Sequence, residues 1–183
     1  MRLLTVLMAY AVILSAQTPV TQSQELTFTL PGRGPATLAQ YKGHVIGIEF
    51  INSTCSHCQA AARVMTKMQQ QFGARGFQAL GVVINDPSDA AVEKFVKDYQ
   101  VGFPVGWMPH DRMMTYLGYT ELPYMPQLIL IDREGNIQYR TPRITNESMV
   151  GEEAITARIE KILDLPATRG KAAGRPTAKS AGH

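Results

Sequence analysis

Cysteine is scarce in this chain. Only two of 183 residues are cysteine, Cys55 and Cys58. That excludes a scaffold stapled by several long-range disulfides. The sequence also lacks a second Cys-X-X-Cys and any His-X3-His pair, so the usual zinc spacings are missing. Gln59 follows the second cysteine where covalent haem attachment would need histidine. No internal repeat is visible. No apolar run reaches the roughly 20 residues of a membrane span. The net charge of +3 arises at the ends, from Arg2 and from Arg169, Lys171, Arg175 and Lys179. Residues 17–165 carry 13 basic and 15 acidic residues, which gives no basis for nucleic-acid binding.

What remains fits one exported domain. The length and the 45% apolar content suit a single globular core. Arg2, the apolar run Leu3 to Leu14 and the small pair Ser15-Ala16 read as a secretory signal over residues 1–16. Leu14 is not ideal at the third position before the cut, so residues 3–14 as an uncleaved anchor stay open. The expected place is extracytoplasmic, in the periplasm. The domain is expected over residues 17–165. A disordered basic tail is expected over 166–183, with weak contact to an anionic membrane as an alternative role.

Apolar periodicity predicts the elements. Leu26 to Leu30 alternates as a short strand. Val45 to Ile51 is a strand apolar enough to be buried on both faces. Ala61, Val64, Met65, Met68 and Phe72 follow at helical spacing, stopped by Gly73. Phe77 to Ile84 is the next strand. Strand, helix, strand with short links implies a parallel pair. Asp86-Pro87 reads as the cap and first position of a second helix, with Val92, Phe95, Val96 and Tyr99 on its apolar face. Residues 102–126 read as loop, with a short helix over 111–117. Gln127 to Ile131 and Ile137 to Arg140 are antiparallel strands joined by a turn. A last helix carries Ile155, Ile159, Ile162 and Leu163.

The two cysteines sit between the strongest strand and the helix after it. A Cys-X-X-Cys pair in that setting reads as a redox centre that makes and breaks its own disulfide. A structural staple is disfavoured, because a loop with two intervening residues constrains the unfolded chain little. Free N–H groups and the helix dipole at Cys55 favour an anion, which marks it as the nucleophile. Cys58, one turn in, would resolve the mixed disulfide. His57 lies between them, and its positive charge would favour a Cys55 thiolate. Glu49 is the only charged residue in its strand. Buried there, it could exchange a proton with Cys58; at a strand edge it would only face solvent or an arginine. The same thiols, with His57 and either His44 or His110, could instead hold zinc or copper.

The strand into Cys55-Ser56-His57-Cys58, then Phe103-Pro104-Val105, then Met125-Pro126-Gln127-Leu128-Ile129-Leu130-Ile131-Asp132 with Gly135 and Ile137, together resemble the thioredoxin superfamily. The order is most similar to the exported TlpA/ResA-type thiol–disulfide oxidoreductases, over roughly residues 25–164. The resemblance implies an α/β thioredoxin fold, with a central mixed sheet flanked by helices. It implies a helix-bearing insertion between the two halves, matched by Asp86 to Tyr99. It makes Pro126 the cis-proline facing the cysteines, puts Met125 on the substrate's path, and gives Glu49 the place of a buried acid. It implies no cofactor beyond the Cys55–Cys58 disulfide. The partners it implies are protein disulfides or dithiols and a membrane electron-transfer protein. Its members include reductants in cytochrome c or metal-site maturation. A histidine before the second cysteine occurs in disulfide-forming members, which leaves an oxidant or isomerase as the alternative. Two departures are plain: Thr54 stands where tryptophan commonly precedes the pair, and Ala60-Ala61-Ala62 occupies the region where an acid often follows it. Trp107, the sole tryptophan, reads as a packing residue.

Overall fold

A computed structural model describes residues 21–144 and 151–166. The expected signal and all but the first residue of the expected tail lie outside the described residues. Among these residues, seven strands form one mixed sheet, β1 (Thr27–Leu30), β2 (Gly34–Thr37), β3 (Val45–Ile51), β4 (Phe77–Val83), β5 (Val105–Trp107), β6 (Gln127–Ile131) and β7 (Ile137–Arg140). Their order across the sheet is β2-β1-β5-β4-β3-β6-β7. The described residues also form four α-helices: α1 (Ser56–Phe72), α2 (Asp89–Tyr99), α3 (His110–Leu117) and α4 (Glu152–Leu163).

β3 is central. It pairs in parallel with β4 and antiparallel with β6. All seven of its residues are buried, as expected of a strand covered on both faces. Alternation splits its side chains between two cores. Val45 and Ile51 join Met65, Met68 and Phe72 of α1 and Ile155 and Ile159 of α4. Ile46, Ile48 and Phe50 join Met113 and Leu117 of α3 on the other face. Gly47 permits the close approach of α1, since a Cβ there would lie 2.8 Å from both Met65 Cε and Phe77 Cζ.

The structure adds two short strands that periodicity missed. β5 falls within the stretch read as loop, and β2 follows the turn read as the end of the first strand. β5 joins the two halves of the sheet, pairing in parallel with β4 and antiparallel with β1. Gly106 makes this possible, because a Cβ there would lie 2.4 Å from the Thr29 carbonyl oxygen. The start of α2 also differs from expectation. Ser88 is the cap, with its hydroxyl accepting from Ala91 N–H at 3.2 Å. Asp86 Oδ1 instead accepts from the Ser88 hydroxyl at 2.9 Å. The first helical residue, Asp89, accepts from Trp107 Nε1 at 2.7 Å and from Gly32 N–H at 3.1 Å. It thereby ties the inserted helix to β5 and to the β1–β2 turn.

Candidate active site

The carboxyl end of β3 builds the site. After Ile51 the chain turns sharply, because Asn52 Oδ1 accepts from Thr54 N–H at 3.1 Å and from its hydroxyl at 2.8 Å. Ser53 N–H donates to Asn85 Oδ1 at 2.8 Å, and Gln59 Nε2 donates to the Ser53 carbonyl at 3.1 Å. These bonds hold both sides of the turn, and the Cys55 N–H closes it onto the Asn52 carbonyl at 3.0 Å. Cys55 is the N-cap residue of α1 and makes no side-chain capping bond. Its sulfur therefore stands at the positive end of a 17-residue helix.

The two thiols are free and differ in access. Cys55 is part-exposed and Cys58, in the first turn of α1, is buried. Burial pushes the Cys58 thiol well above the usual thiol range. A backbone hydrogen bond from Asn52 opposes that shift, and negative charge at Cys55 and Glu49 adds to it.

Glu49 is 1% exposed, and its Oε2 has no hydrogen-bond partner among the described residues. It lies mid-strand between Gly81 of β4 and Leu128 of β6. Its position on the strand places it on the α1 face, with Val45 and Ile51. Burial without a partner pushes its carboxyl up to about 8.

Met125 and Pro126 approach from the head of β6. The Met125–Pro126 bond is cis, and the Met125 carbonyl oxygen lies 4.0 Å from Cys55 Sγ. Pro126 is buried and Met125 is half-buried. The fold thus gathers Cys55, Cys58, Met125 and Pro126 at one end of the sheet, with Glu49 buried two residues in from that end of β3. His57 is exposed, on the first turn of α1.

Asn52, Asn85 and Gln127 also shape this end of the sheet, and sequence reasoning missed them. The Asn52-Ser53-Thr54 run after an apolar strand was a readable turn signal. Asn85 acts through a contact 32 residues away in sequence that no local pattern reports, and the burial of Gln127 depends on the sheet around it. A cleft of about 370 Å³ adjoins the pair, lined by Ser53, Thr54, Gln59, Asn85, Lys94 and Tyr99 among others. Among the described residues, no three His, Cys, Asp or Glu side chains gather as a metal-binding group. His44 precedes β3, at the strand end opposite the cysteines, and His110 opens α3.

A mixed sheet with a Cys-X-X-Cys pair at a helix start, facing a proline loop, defines a thioredoxin-like protein. Residues 21–140 match the AhpC/TSA family, and the chain belongs to that family. It is similar to the thiol-disulfide oxidoreductase ResA of Bacillus thuringiensis subsp. konkukian (strain 97-27), at 26% identity over 55% of this chain and 56% of that protein. It is similar also to ResA of Bacillus subtilis (strain 168), at 27% identity over 62% of this chain and 61% of that protein. The matches thus span little more than half the length of these relatives. Among solved structures, a thiol:disulfide interchange protein of Chlorobium tepidum TLS aligns over 81% of this chain and 99% of its own, with a TM-score of 0.67 at 19% identity. The thioredoxin domain of a thiol-disulfide oxidoreductase from Bacteroides vulgatus aligns over 80% and 99%, with a TM-score of 0.64 at 17% identity. Those two likenesses speak for the fold. Among the described residues, no helix is long and apolar enough to cross a membrane.

Proposed function

We propose that this chain is an exported protein thiol–disulfide oxidoreductase that works by cycling the Cys55–Cys58 pair. One observation carries the reading: a part-exposed cysteine at a helix N-terminus, 4.0 Å from the Met125 carbonyl, with a buried partner one turn in. The attacking sulfur meets solvent and the resolving sulfur does not. In the reducing direction, Cys55 sulfur attacks a substrate disulfide, forms a mixed disulfide and expels one substrate thiolate. Cys58 then loses its proton to Glu49 and attacks Cys55 sulfur. The second substrate sulfur leaves as a thiolate and takes a proton from solvent, and the Cys55–Cys58 disulfide remains. Met125 and Pro126 flank the path of the incoming chain.

The direction we favour is reduction of protein disulfides, in cytochrome c or metal-site maturation, with electrons supplied by a membrane partner. The resemblance to the TlpA/ResA-type proteins, whose members include such reductants, supports it. The relatives named above are thiol-disulfide oxidoreductases. The N-terminal pattern of Arg2 and Leu3 to Ala16 supports export.

The test is the equilibrium potential of the pair, by thiol trapping in glutathione or dithiothreitol buffers. A value near about −270 mV, like thioredoxin, supports the reductant. A value of about −120 to −180 mV assigns the chain to disulfide formation or isomerisation. A pair that forms no reversible disulfide rejects the redox reading and favours thiol-bound zinc or copper.

A further inference from the structure

Gln127 is a buried polar residue for which the chemistry above has no use. It opens β6 directly after Pro126, is wholly buried, and lies opposite Phe50 of β3. Its Oε1 has no hydrogen-bond partner among the described residues. Its Nε2 donates to the Tyr124 carbonyl at 2.6 Å and reaches the Pro142 carbonyl at 3.5 Å. A leucine would fill such a place without stranding an oxygen. The amide's bonds run through its N–H groups, and its closest acceptor is in the proline loop.

That contact fixes a peptide plane. Met125–Pro126 is the cis bond of this loop, and the Tyr124–Met125 bond is trans. In a trans peptide the C=O and the next N–H point in opposite directions. With the Tyr124 carbonyl drawn inward to Gln127, the Met125 N–H is aimed the other way. The Tyr124 N–H is anchored separately, donating to the Arg143 carbonyl at 2.9 Å. The next residue in β6 is held in a related manner. Thr141 Oγ1 accepts from Leu128 N–H at 3.0 Å and lies 3.2 Å from the Leu128 carbonyl. Side chains thus add to the backbone bonds that join the head of β6 to the segment after β7.

We propose that Gln127 is a positioning residue for polypeptide substrates. By holding the Tyr124 carbonyl inward, it aims the Met125 N–H outward beside Cys55, to bond the backbone that flanks the target disulfide. The inference rests on the oxidoreductase reading and adds to it the residue that separates polypeptide disulfides from small ones. A small disulfide has no backbone to present, so it should react with Cys55 whether or not the peptide plane is held.

The full reduced chain is mixed with two oxidants, and wild type is compared with Gln127→Leu and Gln127→Glu. One oxidant is a disulfide-bonded decapeptide; the other is 5,5′-dithiobis(2-nitrobenzoate). In Gln127→Leu the peptide rate should fall about tenfold, while the small-reagent rate stays within about twofold and the potential is unchanged. In Gln127→Glu a protonated carboxyl can still donate to Tyr124, whereas a carboxylate repels it. The ratio of peptide rate to small-reagent rate should therefore recover as pH is lowered. This second variant decides the matter if the leucine variant does not fold. An unchanged ratio in both variants overturns the inference. A parallel fall of both rates does so too, in favour of a purely structural amide. Wild type inert toward both oxidants removes the oxidoreductase reading itself, and the inference with it.

Discussion

Glu49 and Cys58 are two buried acids that disfavour each other's charge. A carboxyl with a pKa near 8 is a base in only about a tenth of molecules at pH 7. Resolution of the mixed disulfide should therefore speed up as pH rises and level off above about 8. Glu49→Gln should slow that step and abolish the inflection, read by quenching the mixed disulfide at timed intervals. An unchanged profile would remove Glu49 from the mechanism. The same group links pH to stability. Its pKa is raised on folding from 4.5 to about 8, so the folded state holds the proton more tightly. Its contribution is fully present below about pH 4.5 and is lost as pH rises through 8, at a slope of at most roughly 1.4 kcal/mol per pH unit. Glu49→Gln should flatten that slope in urea titrations between pH 5 and 8. The sequence showed Glu49 as a lone charge in an apolar strand but not its burial, since either a solvent-facing edge or a covered centre would have fitted. The neighbours across the sheet, Gly81 and Leu128, decided that.

At the scale of elements, the best-read pieces were those with long apolar periods, which are also the ones that place the cysteines. β3, α1 and β4 follow the expected boundaries closely. β5 escaped because three residues between Pro104 and Pro109, one of them a glycine, carry no period. It exists because of what lies on either side of it. Gly106 is therefore where the N-terminal hairpin depends on a single residue. Gly106→Ala would force a methyl against the Thr29 carbonyl and the Phe28 ring, at 2.4 and 2.6 Å. Overpacking of this kind costs about 1–3 kcal/mol, and the contact with backbone puts this case at the upper end. A lower midpoint in urea with an unchanged slope would show the loss. An unchanged midpoint would mean that β1 and β5 separate without cost. The cap of α2 makes a smaller, separate case. Ser88→Ala should cost about 1 kcal/mol, whereas Asp86→Ala should cost less, because its main bond is to Ser88 itself.

For the whole molecule, the direction of electron flow can be read from stability alone. Folding and oxidation form a closed cycle. The difference in unfolding free energy between the disulfide and dithiol forms equals the difference in potential of the pair between the folded and unfolded chain. Two intervening residues constrain the unfolded chain little, so the unfolded couple is an ordinary reference. A fold that favours the dithiol makes an oxidant, and one that favours the disulfide makes a reductant, with about 1.4 kcal/mol for each 30 mV. Here the buried sulfur is kept from ionising, chiefly by burial, and the nearby buried carboxyl adds to that when it is charged. An unfolded thiol is protonated at pH 7 as well, so this shift does not set the potential there; a reductant requires that the fold favour the disulfide. We expect the disulfide form to resist urea more strongly than the dithiol form at pH 7. The two forms would be prepared with oxidised and reduced dithiothreitol and compared in matched titrations. A dithiol form that is the more resistant would reverse the assignment to a disulfide donor. Glu49→Gln should change the gap between the two forms most above pH 8, where the wild-type carboxylate faces Cys58 in the dithiol.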